Sequence, residues 1–160
     1  MIASELRVLK ERMAATVTLS NGRLAHGRVF VSGFSATHSG PERVKDVLNG
    51  EPGFFPFEID ETAGARTVLF NRDHVVMVDL ESDDELRQVP GYEHATRRTV
   101  SMLLATGERL DGLVRVQRPR SRDRLSDHAR EGEQFCYLEG PNRTLIVNMH
   151  YVLEMTDQIR

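Results

Sequence analysis

Tryptophan is absent from this chain of 160 residues, and Phe and Tyr make up the whole aromatic content of 6%. A core must therefore rest on Val, Leu and Phe. A single cysteine, Cys136, excludes an intrachain disulfide and any cysteine-based metal cluster. Lysine occurs only as Lys10 and Lys45, so the remaining basic charge is all arginine, and a net charge of −3 excludes a global pull toward nucleic acid or acidic membranes. No apolar run approaches the length of a membrane span. Met1 to Ala14 lacks the apolar core of a signal peptide, so a cytoplasmic location is expected.

Catalytic signatures are equally sparse. The six histidines form no close pair suited to zinc and no His-Glu-x-x-His. No Gly-x-x-x-x-Gly-Lys loop is present to cradle phosphate. Cys136 lies between Phe135 and Tyr137 in an expected strand, where a buried small hydrophobe fits better than a nucleophile. These absences point to a chain that is not an enzyme, with no cofactor, no metal and no catalytic residue.

What is present is internal repetition. Leu19, Gly22, Gly27 and Val29 share a frame with Leu104, Gly107, Gly112 and Val114, at an offset of 85 from Gly22 to Gly107. Arg43, Asp46, Phe54 and Phe57 match Arg124, Asp127, Phe135 and Leu138, at an offset of 81 from Asp46 to Asp127. Arg66-Thr67-Val68-Leu69-Phe70-Asn71 matches Arg143-Thr144-Leu145-Ile146-Val147-Asn148, at an offset of 77 from Asn71 to Asn148. The offset changes only across Ser32 to Pro41 and Asp60 to Ala65, where loops tolerate a change of length. Three blocks in the same order point to a tandem duplication.

Each unit reads as mostly strand. Val17 and Leu19 alternate with Thr18 and Ser20, and Asn21-Gly22 signals a two-residue hairpin turn. Gly27 and Gly112 are placed to bend the returning strand. Val44, Val47 and Leu48 have helical spacing. Phe54 to Ile59 reads as a strand that Pro56 demotes to an edge, and two further strands flank the turn at Asn71-Arg72-Asp73. Glu5 to Met13 reads as a short amphipathic helix. The expected fold is all-β with minor α: two tandem, strongly bent five-stranded small barrels. The expected division is an N-terminal helix over 1–15, a first barrel over 16–80, a solvated acidic linker over 81–98 and a second barrel over 99–156.

A strand carrying Leu19, Gly22, Arg23, Gly27 and Val29 resembles the first motif of Sm-like proteins, and the strands around Asn71 stand where the second motif would. The resemblance implies a small bent barrel of Sm-like or SH3-like form, and RNA as a partner. The chain departs from the family pattern at the base-reading residues. Asp46 and Asn49 follow a long insert, Arg130 stands three residues after Asp127 where Asn would be, and the Arg-Gly pair of the second motif is replaced by Asn71-Arg72-Asp73 and Asn148-Met149-His150. The whole pattern also resembles an uncharacterised bacterial family of small barrel repeats, which implies no activity.

Two surfaces stand out. Arg115, Arg118, Arg120, Arg122 and Arg124 form the densest charge and are a candidate loop for an anion or an acidic partner. Arg118 and Arg122 have the spacing that PilZ domains use for cyclic dinucleotides, without the accompanying Asp-x-Ser-x-x-Gly. Val75, Val76 and Met77, with Val152 and Leu153, are apolar without alternation, and a strand apolar on both faces must be covered on both. They are expected to meet the other unit, the N-terminal helix or another subunit. The expected function is non-catalytic protein binding or scaffolding, with RNA binding as the alternative and an unidentified enzyme third.

Overall fold

The computed structural model describes residues 10–33, 35, 38, 40–116 and 132–158. The chain runs β1 (Lys10–Leu19), β2 (Leu24–Ser32), α1 (Val44–Leu48), β3 (Phe54–Glu61), β4 (Gly64–Asn71), β5 (Val75–Leu80), α2 (Asp84–Arg87), β6 (Thr96–Leu104), β7 (Arg109–Val116), β8 (Phe135–Gly140), β9 (Arg143–Asn148) and β10 (Val152–Asp157). No described helix is long and apolar enough to cross a membrane.

The all-β expectation holds, but the two separate barrels do not. The ten strands form one open antiparallel sheet in the order β10-β6-β7-β8-β9-β5-β1-β2-β3-β4. β5 is the cause. It pairs with β1 on one side and with β9 on the other, so the first five strands continue into the last five. The helix expected over Glu5 to Met13 is corrected in its described part, residues 1–9 lying outside the described residues: Lys10 to Leu19 is strand, paired with β2 from Lys10↔Ser32 to Thr18↔Leu24. Met13, Ala15 and Val17 follow the period of two that a strand needs, and Ala15 and Val17 are buried while Met13 packs on the core.

The two halves have the same strand order, β5-β1-β2-β3-β4 and β10-β6-β7-β8-β9. Their ladders agree pair by pair. Val17↔Ala25 corresponds to Met102↔Leu110, and Phe54↔Asn71 corresponds to Phe135↔Asn148. Val17↔Val78 corresponds to Met102↔Met155, with the same register shift after Thr18 and near Leu103.

The first hairpin is not the two-residue turn that Asn21-Gly22 suggests. Leu19 N–H donates to Arg23 O at 2.9 Å, which closes a three-residue loop, and Gly22 takes φ +87°. Ala105-Thr106-Gly107 repeats it, with Leu104 N–H to Glu108 O at 2.8 Å and Gly107 at φ +91°. A three-residue loop of this kind needs its last residue left-handed, which glycine adopts at least cost. Pro56 is tolerated inside the sheet because β2 meets β3 only from Phe57 to Ile59, so no β2 ladder bond is lost at Pro56.

Gly27 and Gly112 answer to packing, not to φ. A Cβ on Gly27 would overlap the Glu58 carbonyl, and one on Gly112 would overlap the Glu139 carbonyl. β2 and β7 thus cross their next strands closely at matching places. Alanine at Gly27 or Gly112 should cost about 1–3 kcal/mol, as overpacking does. Gly33→Ala, with open space around it, should stay within about 0.5 kcal/mol of the parent. Urea unfolding of the three variants checks this, and equal stability of all three would remove the close-approach role.

Candidate functional site

The seam between the halves is the best-defined junction in the molecule. β5 and β9 pair from Met77↔Val147 to Leu80↔Thr144. The buried Asn148 amide donates to Val75 O at 2.8 Å, while its oxygen accepts from His150 N at 3.0 Å. Side chains cross the seam in both directions. Phe135 and Ile146 are fully buried in the core formed mainly by the first five strands, and Val76 is buried in the core of the last five. Burial of each such side chain contributes roughly 1.5–3 kcal/mol.

A polar layer lies beside this apolar one. Glu85 on α2 accepts from Val44 N at 2.6 Å, from Lys45 N at 3.2 Å and from the Tyr137 hydroxyl at 2.8 Å. It thereby caps α1 and ties it to β8. The segment read as a solvated linker is mostly exposed, but Glu85 and Leu86 within it are buried. Asn49 makes a two-way clamp: Phe135 N–H donates to its oxygen at 2.9 Å, and its amide donates to Phe135 O at 2.9 Å and to Glu133 at 3.0 Å. Lys45 pairs with Glu133 at 2.7 Å. Asp46 accepts from Arg43 N at 2.8 Å and meets His38 at 2.6 Å. Asp46 and Asn49, the residues that the Sm-like resemblance sets against that family's base-reading positions, are therefore engaged within the chain.

The sequence-derived candidates fall into three groups. Arg115 is built into the fold: it donates to Glu139 at 2.6 and 3.2 Å and to Tyr92 O at 3.0 Å, and its guanidinium lies 3.7 Å from the Tyr92 ring centroid. It lies on strand β7 and is ion-paired with Glu139. Arg118, Arg120, Arg122 and Arg124 lie outside the described residues. Val75, Val76 and Met77 sit on β5 between β1 and β9. Val152 and Leu153 lie on β10, whose other side has no strand among the described residues, and Leu153 is 68% exposed.

Among the described residues the sheet ends at β4 on one side and β10 on the other. Sequence reasoning did not single out Phe54 or Leu69, which are 61% and 65% exposed on β3 and β4. Their counterparts by the repeat were the available signal. A groove of about 420 Å³ beside β7 is lined by Glu108, Arg109, Asp111 and Arg143 among others. Burial pushes the Cys136 thiol up to about 11, which suppresses its thiolate at neutral pH. No protein-family model, curated protein or solved structure matches this chain.

Burial raises the Glu85 carboxyl above its ordinary 4.5, against the lowering effect of the donors from Val44, Tyr137 and Lys45. A raised carboxyl contributes stability when protonated, so the contribution is present below the unfolded value and falls as pH climbs through the folded one. In urea unfolding, the stability of the parent relative to Glu85→Gln should therefore decline as pH rises above 4.5. An unchanged slope in that variant would mean that Glu85 is ionised throughout and acts only as a cap.

Proposed function

We propose that this chain is a non-catalytic, cytoplasmic binding module that holds protein at its free sheet edges. We further infer that it arose by tandem duplication of a five-strand, Sm-like unit. One observation carries the binding reading: Phe54, Leu69 and Leu153 are exposed apolar side chains on or beside the two terminal strands. Backbone groups at a sheet edge offer hydrogen bonds to an added strand, and neighbouring apolar side chains supply burial. β4 contains no Pro and a single charged residue, Arg66, among the residue types that commonly blunt such edges. Internal engagement of Asp46 and Asn49 favours protein over RNA as the partner. Burial of Cys136 and the ion-paired state of Arg115 leave neither poised for chemistry.

A photo-crosslinking residue placed at Leu69 or Leu153 should yield protein adducts in cells, while one placed at exposed Leu24, away from the terminal strands, should not. The purified protein should show the absorbance ratio of protein alone. Nuclease-sensitive adducts, or purified protein carrying nucleic acid, would replace this reading with RNA binding.

A further inference from the structure

One face of the first half repeats a face that the chain itself covers in the second. Side chains directly opposite in an antiparallel ladder share a face, as do side chains two residues apart along a strand. Phe54, Pro56, Leu69 and Asn71 therefore share the outer face of the β3–β4 hairpin, through Phe54↔Asn71 and Pro56↔Leu69. Phe55, Phe57 and Phe70 lie on the opposite face, in the first core. Phe135, Tyr137, Ile146 and Asn148 share the matching face of β8–β9, through Phe135↔Asn148 and Tyr137↔Ile146. Phe54 and Leu69 are 61% and 65% exposed, whereas Phe135 and Ile146 are fully buried.

The buried face shares its core with a helix. Phe135 and Ile146 lie in one core with Val44 and Leu48 of α1, and Val47 and Tyr137 pack against it. α1 is fixed there from its end, where Asn49 bonds both backbone groups of Phe135, and from its side, where the Lys45 ammonium lies 5.0 Å from the Tyr137 ring centroid. Its apolar residues stand at i, i+3 and i+4, the spacing by which an amphipathic helix seats on an apolar surface. The repeat frame sets Leu125, His128 and Ala129 against Val44, Val47 and Leu48. By sequence alone, the second copy of the helix has lost two of its three large apolar anchors. The chain therefore carries two such faces and one segment suited to cover them.

We propose that the Phe54–Pro56–Leu69 face docks a short amphipathic helix of a different protein, seated as α1 is seated on β8–β9. The inference rests on the binding reading above and names the kind of segment bound at that end of the sheet. Val, Leu or Ile at i, i+3 and i+4 of the partner helix cover Phe54 and Leu69. The Asn of α1 is not required of the partner, because Arg72 already donates to Phe54 O at 2.8 Å, where Asn49 donates to Phe135 O in the twin. Pro56 stands in place of Tyr137, so the partner gains no ring to stack a lysine on, and apolar burial carries the contact.

The probe is a synthetic peptide with the sequence of residues 42–50, stapled because so short a helix is marginal in water on its own. Titrated into the full chain labelled with nitrogen-15, it should bind saturably and shift the amides of Phe54 and Leu69 but not those of Leu24 or Leu153. Leu69→Glu and Phe54→Ser in the protein should each weaken binding by at least about tenfold, since the burial of one such side chain is worth that factor. Unchanged melting temperatures establish that both variants fold, as expected for exposed positions. Val47→Asp in the peptide should abolish binding, and a stapled peptide of residues 123–131 should not bind. No saturable binding, binding that survives Leu69→Glu, or shifts confined to Phe135 and Tyr137, where the probe would be displacing α1, would each overturn the proposal. Equal binding of the 123–131 peptide would also overturn it, by making a second copy of this chain the occupant. Failure of the 42–50 peptide while Leu69 still crosslinks to protein would remove the helix and leave the binding reading standing. Loss of both would remove both.

Discussion

β5 has a strand on each side and contributes to both cores. Val75, Val78 and Leu80 belong to the first core and Val76 to the second, and every backbone pairing between the halves runs through its ladder with β9. A short strand that is apolar at almost every position cannot satisfy itself within a single layer. Covering it requires β9, and β9 brings β8 with it. That is why Phe135 and Ile146 cross into the first core while Leu138, Leu145 and Val147 remain in the second. The β8–β9 hairpin is packed on both faces, and β3–β4, the equivalent hairpin of the first half, is packed on one.

The same sequence pattern therefore exists in two environments within one molecule. Arg66 to Asn71 lies on a terminal strand of the described sheet, and Arg143 to Asn148 lies on a strand paired with β5. Both form strands with the same pairing to the preceding strand, so local strand formation does not depend on the seam. Exposure does. The difference between Leu69 and Ile146 is one of neighbours, not of conformation. Glu58 and Glu139 make a similar comparison. Each faces the close crossing at its glycine and is held by arginine, Arg28 in one half and Arg115 in the other. The partner comes from a different position along the strand, yet in both halves a carboxylate near the bend is matched by a guanidinium.

Much of this was legible in the sequence because strand alternation and loop residues are local signals. The positions of β2 to β5, the helical turn at Val44 to Leu48 and the turn at Asn71 follow from residues within a few positions of one another. The repeat frame also placed matching residues correctly in the ladders. What failed depended on distant neighbours. The amphipathic spacing of Glu5 to Met13 also fits a strand over its last residues, and pairing with β2 decides in favour of the strand. The acidic segment at Glu81 to Glu85 reads as solvated because nothing nearby announces that Tyr137 and the start of α1 will surround Glu85. Arg115 reads as part of a charged loop until Glu139 and Tyr92 are brought to it. The apolar run of β5 pointed to a covered junction, but not to which strand would cover it.

Apolar burial alone would leave the seam free to slip, since Val, Ile and Leu pack against one another in several registers, and a slip of one residue reverses every side chain. Polar contacts remove that freedom. The Asn148 amide meets Val75 O at one end of the ladder, and Asn49 grips both backbone groups of Phe135 beyond it. Each is a short directional bond that a slipped register would break, leaving buried groups unpaired at about 1–3 kcal/mol apiece. Hydrophobic area thus supplies the strength of the junction and asparagine supplies its alignment. Asn71 carries the aligning group to the open edge of β4 beside exposed Leu69, so that edge retains both parts of the same device.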